Sequence, residues 1–195
     1  MMKTKNSKTV LKGKRIIVGV TGGIACYKSC ELVRLLIQEG VDVHVVMTSS
    51  AKQFVTPMTF QALSCNQVHD DLFNLTQESE MGHITLADSA DLMVIAPATA
   101  NFLAKAAHGL CDDLLSTIVC VTRAPILLAP AMNVHMFENK IVQENLNKLI
   151  GLGWQVVGPD SGSLACGYEG HGRMSEPFLI VSAVEELLTR SKKKK

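Results

Sequence analysis

The chain has 195 residues, 47% of them hydrophobic and 19% charged, enough apolar material for one domain with a substantial core. Its formal net charge is only +1, and the lysine run at 192–195 more than accounts for it, so the slightly acidic body gives no case for nucleic-acid binding. Apolar runs are far shorter than the roughly 20 residues of a membrane span, and no apolar signal core precedes Val10, which predicts a cytoplasmic protein without membrane contact.

In chain order, the β-branched run at 15–20 (RIIVGV) predicts a strand of the kind buried on both faces of a parallel sheet. Residues 24–39 carry Leu32, Leu35 and Leu36 at helical spacing and stop at Gly40, a natural helix end. Further strands are predicted at 41–47, which contains His44, and at 92–96, 125–129 and 154–157. Helices are predicted at 57–63, 85–89, 100–107, 114–121, 135–150 and 177–190, with His69 and His108 on the surface. Strands alternating with helices imply βαβ units. The predicted fold is therefore a single doubly wound α/β domain over 13–190, flanked by basic tails at 1–12 and 191–195. Its mostly parallel sheet carries helices on both faces, in the manner of Rossmann-like and flavodoxin-like folds, and ligands would sit beyond the carboxyl ends of the strands.

Four segments fall at such positions. The first strand runs into Thr21, Gly22, Gly23 and Ile24 and then a helix, which aims backbone N–H groups and a helix dipole at an anion. The spacing is not that of a dinucleotide fingerprint, and the second strand ends in Met47, Thr48, Ser49 and Ser50 with no acid for a ribose hydroxyl. Hydroxyls suit a phosphate monoester, so a mononucleotide such as FMN is favoured over NAD. The third strand leads into Ala98, Thr99, Ala100 and Asn101, and the fourth into Ala131, Met132 and Asn133. Each pairs small residues, which admit a planar ring, with an Asn that donates and accepts; either Asn alone could cap a helix, but two such segments at equivalent positions point to a site.

His83 follows Gly82 and offers an imidazole for acid–base work or for orienting a carboxylate. Near the end, Leu164 to Met174 set Cys166 between Ala165 and Gly167, with Gly162, Gly170 and Gly172 nearby. So glycine-rich a segment is expected to hold itself as neither helix nor strand and to rearrange over a ligand. The six cysteines, Cys26, Cys30, Cys65, Cys111, Cys120 and Cys166, form no CxxC pair and no zinc-ligand spacing, so free thiols and no metal are expected.

The segments TGGIACYK, GHITLADSADLMVIAPATAN, APAMNVHMF and ACGYEGHGRM, in this order, resemble the homo-oligomeric flavin-containing cysteine decarboxylases. They are most similar to the phosphopantothenoylcysteine decarboxylases of coenzyme A biosynthesis. The likeness extends from Gly13 to Val184; Cys26 stands where a second Ala is usual, and Phe137 where Trp is frequent. The resemblance implies FMN as cofactor, with Gly22, Gly23, Ile24, Thr48 and Ser49 at its phosphate end and Ala98, Thr99, Ala100 and Asn101 along the flavin. It implies catalytic roles for His83 and Cys166, the latter as proton donor on a substrate clamp. Substrate binding falls to Asn133 and Met132, together with Ala165 and Gly167. The implied reaction converts 4′-phosphopantothenoylcysteine to 4′-phosphopantetheine through a thioaldehyde and an ene-thiolate. Relatives assemble as trimers or multiples of trimers, with flavin and histidine meeting across a subunit boundary, and are often fused to a ligase; a stand-alone decarboxylase is expected here. Other readings are a peptidyl-cysteine decarboxylase, which needs no reductive proton donor, a flavin prenyltransferase, which the Asn133 and Cys166 segments fit poorly, and a flavin-binding regulatory subunit that inhibits phosphatases.

Overall fold

The computed structural model describes residues 10–72, 82–163 and 169–192. Its centre is a five-stranded, all-parallel sheet in the order β2-β1-β3-β4-β5. The strands are β1 (Arg15–Val20), β2 (Asp42–Met47), β3 (Leu92–Ala98), β4 (Ile126–Pro130) and β5 (Gln155–Val156). This is the flavodoxin-like order, in which the chain reverses its direction of travel between β1 and β3. The central strands are buried almost throughout, as their unbroken β-branched and aliphatic runs demand.

Side-chain alternation along the strands divides the core into two. Ile16, Val18 and Val20 face a layer made by α1 (Cys26–Gln38), α2 (Pro57–Ser64) and α8 (Pro177–Lys192). Ile17, Met93 and Ile95 face α3 (Gly82–Ser89), α4 (Ala100–His108), α5 (Leu114–Val121) and α7 (Lys140–Gly151). Gly19 lets that second layer approach, since a Cβ there would stand 2.6 Å from Leu115 Cδ1 and 2.7 Å from Ile95 Cδ1. Among the described residues, no helix is long and apolar enough to cross a membrane.

Three expectations are corrected. The helix expected over 135–150 is two helices, α6 (Val134–Glu138) and α7, because Asn139 turns extended and its side chain accepts the Ile141 N–H at 2.9 Å, restarting the helix. The glycine-rich segment does hold strands: β6 (Asp160–Ser163) pairs antiparallel with β7 (Glu169–Arg173). Its glycines serve close approach instead of freedom. A Cβ at Gly172 would lie 2.3 Å from the Met132 carbonyl oxygen, and one at Gly170 2.7 Å from Val134 Cγ2. Finally, His69 is half-buried. Its N–H donates to the Val45 carbonyl and its own carbonyl accepts from Met47 N–H, both at 2.9 Å, so it covers the C-terminal part of the open edge of β2.

Candidate functional site

A cavity of about 1020 Å³ opens beyond the carboxyl ends of β1, β3 and β4. At one end it is walled by the β1–α1 turn, Thr21 to Ala25, and by Thr48, Ser49 and Ser50 after β2. The two turns touch: a Cβ on Gly22 would stand 2.3 Å from Ser50 Cβ. Among the described residues, nothing accepts the backbone N–H groups of Gly22, Gly23, Ile24, Ser49 or Ser50. Unpaired donors converging on one space at the positive end of α1 make a cradle for an anion.

Thr21 braces that cradle. Its hydroxyl donates to the Pro97 carbonyl at 2.6 Å and accepts the Thr99 N–H at 3.1 Å, tying the end of β1 to the end of β3. Ser29, one turn into α1, donates to the Ala96 carbonyl at 2.7 Å. Thr99, not Asn101, caps α4, its hydroxyl accepting from Phe102 N. Asn101 is exposed in the first helical turn and lines the cavity with Ala100. Ala98 is fully buried and does not line it; its carbonyl accepts the Ala131 N–H at 3.1 Å, holding the β3 and β4 segments side by side.

The far wall comes from Ala131, Met132, Asn133 and Met136, with Gly172, Arg173 and Met174 of the hairpin. Met132 N–H donates to the Gly172 carbonyl at 2.9 Å, so β7 docks directly on the segment after β4. Asn133 lines the cavity and also caps α6, its Oδ1 accepting from His135 N at 2.9 Å.

The sequence missed a charged stretch of wall. Lys105 Nζ sits 2.7 Å from Asp112 Oδ1 and 2.8 Å from Asp113 Oδ2, and all three line the cavity. Burial works against the Lys105 ammonium, but the two carboxylates outweigh it and hold its pKa above the ordinary lysine value. Asp113 answers in kind: burial would raise it, yet Lys105 and the Ser116 donors leave it below the usual carboxylate range. The available signal was spacing, since Asn101 and Lys105 stand one turn apart on α4. Lys28, buried at 7% exposure, and Arg173 were also unforeseen.

Residues 4–189 match the Flavoprotein family. The chain belongs to the Flavoprotein family. Within it, the chain is 50% identical over 180 residues to the coenzyme A biosynthesis bifunctional protein CoaBC of Haemophilus influenzae, covering 92% of this chain and 45% of that one. It is 46% identical over 177 residues to the Bacillus subtilis CoaBC, covering 91% and 44%. The chain thus spans less than half the length of these curated relatives. Among solved flavoproteins it is similar to a cysteine-to-serine mutant of PPC decarboxylase complexed with pantothenoylaminoethenethiol (TM-score 0.78, 33% identity, 89% of this chain and 97% of that one). It is likewise similar to the FMN binding protein AtHal3 (TM-score 0.76, 34% identity, 89% and 95%).

The cavity brings together Gly22, Gly23, Ile24, Thr48, Ser49, Thr99, Ala100, Asn101, Met132 and Asn133, all anticipated from the sequence. His83 is the second residue of α3; its side chain lies outside the described residues, as do Ala165, Cys166 and Gly167.

Proposed function

We propose that this flavoprotein decarboxylates 4′-phosphopantothenoylcysteine to 4′-phosphopantetheine in coenzyme A biosynthesis, using FMN. The observation that carries the reading is a single cavity with an anion cradle at one end and the Met132–Asn133 wall, backed by a hairpin, at the other.

The cradle fits the cofactor on its own chemistry. Unpaired N–H groups of Gly22, Gly23 and Ile24, with the Thr48 and Ser49 hydroxyls, supply donors for a phosphate monoester. Thr99, Ala100 and Asn101 offer a small-residue wall for a planar ring, set in place from behind by Ala98. When bound, FMN supplies two-electron oxidation of the substrate's CH₂–S group, which gives the electron pair released with CO₂ somewhere to go.

The protein's own work is binding, orientation and proton delivery. Asn133 holds the departing carboxylate, with Oδ1 engaged by His135 N–H so that the side chain keeps one orientation. His83, opening α3, orients the substrate, and Cys166 gives a proton to carbon as the electron pair returns, so the saturated thiol leaves and no external reductant is consumed. A thiol suits proton delivery, because its ordinary pKa of about 8.5 keeps it protonated near neutrality yet able to donate. The assembly is a homo-oligomer built on trimers, working on a small-molecule substrate in the cytoplasm.

Anaerobic incubation of the purified yellow protein with 4′-phosphopantothenoylcysteine, read by mass spectrometry, tests this. The expected product has lost CO₂ and is saturated. A product two hydrogens lighter would remove the reductive half, and no turnover by flavin-loaded protein would overturn the reading.

A further inference from the structure

Lys28 lies in the first turn of α1, immediately beyond the anion cradle, and it is buried to 7% exposure at the edge of the cavity that it helps to line. Nζ donates to the Met174 carbonyl at 3.1 Å and to Glu176 Oε1 at 2.9 Å. Glu176 in turn receives Arg173, which lines the cavity beside Gly172 and Met174. Burying an ammonium is costly, and an unbranched apolar side chain would pack α1 against α8 without that cost. The bonds the charge makes join α1 to one stretch of chain, Met174 to Glu176.

That stretch is the root of the hairpin. It is tied from three sides: Met132 N–H reaches the Gly172 carbonyl at 2.9 Å, Ser175 Oγ donates to Asp160 Oδ1 at 2.7 Å, and Lys28 holds the Met174 carbonyl. Among the described residues, Lys28 is the one side chain from the cofactor-side helix that makes such a tie. We propose that Lys28 is a positioning residue that locks the substrate wall, Gly172 to Met174 with Met132 and Asn133, to the cofactor-holding end of α1. The two halves of the cavity then keep one separation, and that separation sets how well substrate binds against a cofactor already in place. The inference rests on the decarboxylase reading above.

The test is Lys28→Met in the full chain, a change that keeps the volume and leaves Glu176 its Arg173 partner. The FMN dissociation constant, from flavin fluorescence, should stay within about twofold of wild type, because the cradle donors are main-chain groups of Gly22, Gly23 and Ile24. KM for 4′-phosphopantothenoylcysteine should rise about tenfold, the scale of one lost charge-assisted hydrogen bond, with kcat falling less than threefold. Lys28→Arg should recover part of the KM. Glu176→Gln, which removes the ion pair and spares the main-chain bond, should shift KM in the same direction by less; it carries the test if Lys28→Met does not fold. An unchanged KM in an active variant, or FMN affinity falling in step with KM, would overturn the positioning role. A wild-type protein that binds FMN and does not turn over this substrate would instead remove the decarboxylase reading, and this inference with it.

Discussion

The contact between the two turns of the anion cradle can be tested by adding one methyl group. In Gly22→Ala the new Cβ would lie 2.3 Å from Ser50 Cβ, 2.8 Å from the Ser50 carbonyl carbon and 3.0 Å from its oxygen. These are main-chain and Cβ atoms, so no flexible side-chain end can swing aside, and the turns must part. Overpacking of this kind costs about 1–3 kcal/mol. The phosphate site needs both turns in place, so parting them weakens FMN binding by up to that cost. Converted to affinity it is a loss of about 5- to 150-fold for FMN. Fluorescence titration of the apoprotein measures it directly. Two controls separate crowding from general damage. Gly23→Ala places its Cβ 3.5 Å from Thr99 Cγ2, an ordinary contact, so any loss there reports on space needed by the cofactor and not on the fold. Gly151→Ala, at the end of α7 with nothing within 4 Å, should stabilise slightly and leave FMN binding alone. A Gly22→Ala protein that binds FMN within twofold of wild type would refute the reasoning, because the paired turns would then not form the phosphate site.

Cys166→Ser should still release CO₂ while stalling at the oxidised ene-thiol, read as a product two hydrogens lighter; a normal yield of phosphopantetheine would exclude Cys166 as proton donor. Asp113 has a lowered pKa in the fold, so the stability it adds is present above the unfolded value of about 4 and is lost as pH falls through the lower folded value. Asp113→Asn should therefore flatten the acid limb of thermal stability against pH, and an unchanged limb would rule out the Lys105–Asp113–Ser116 cluster as its source. Cys120 is an exposed residue, yet partial desolvation of its sulfur, and then the neighbouring Cys111 thiol, push it up to about 11. At pH 8 iodoacetamide should modify it roughly a hundredfold more slowly than an ordinary exposed thiol, as peptide mass spectrometry can follow, with Cys111→Ser speeding the reaction.

The sheet was legible because burial on both faces leaves a local trace. Arg15–Val20 carries a run of β-branched residues whose bounds coincide with the observed strand. The cradle was legible for a related reason: a glycine pair between strand and helix, with hydroxyls at the end of the next strand, reports chemistry within a few residues. What the sequence did not disclose depends on partners far along the chain. Gly172 reads as a flexible residue until Met132, 40 positions earlier, is seen 2.3 Å from where its Cβ would be. Asn139 could have been found locally, since Asn before a helical run is a strong cap, but the apolar spacing of 135–150 continues across it and hides the break.

Lys28 is the sharpest case of that limit. On a helical projection it is one polar residue between Cys26 and Ser29, and nothing nearby marks it as buried. Its partners, Met174 and Glu176, are nearly 150 residues away and meet it only because α8 returns to pack on α1. The same return places Arg173 and Gly172 over the segment after β4, so one packing event builds both the tie and the wall it holds. Residues that bind a cofactor through main-chain groups can be read from short motifs. The side chains that fix the distance between two such motifs are chosen by the fold as a whole, and they are found by asking why a charge is buried where an apolar residue would serve.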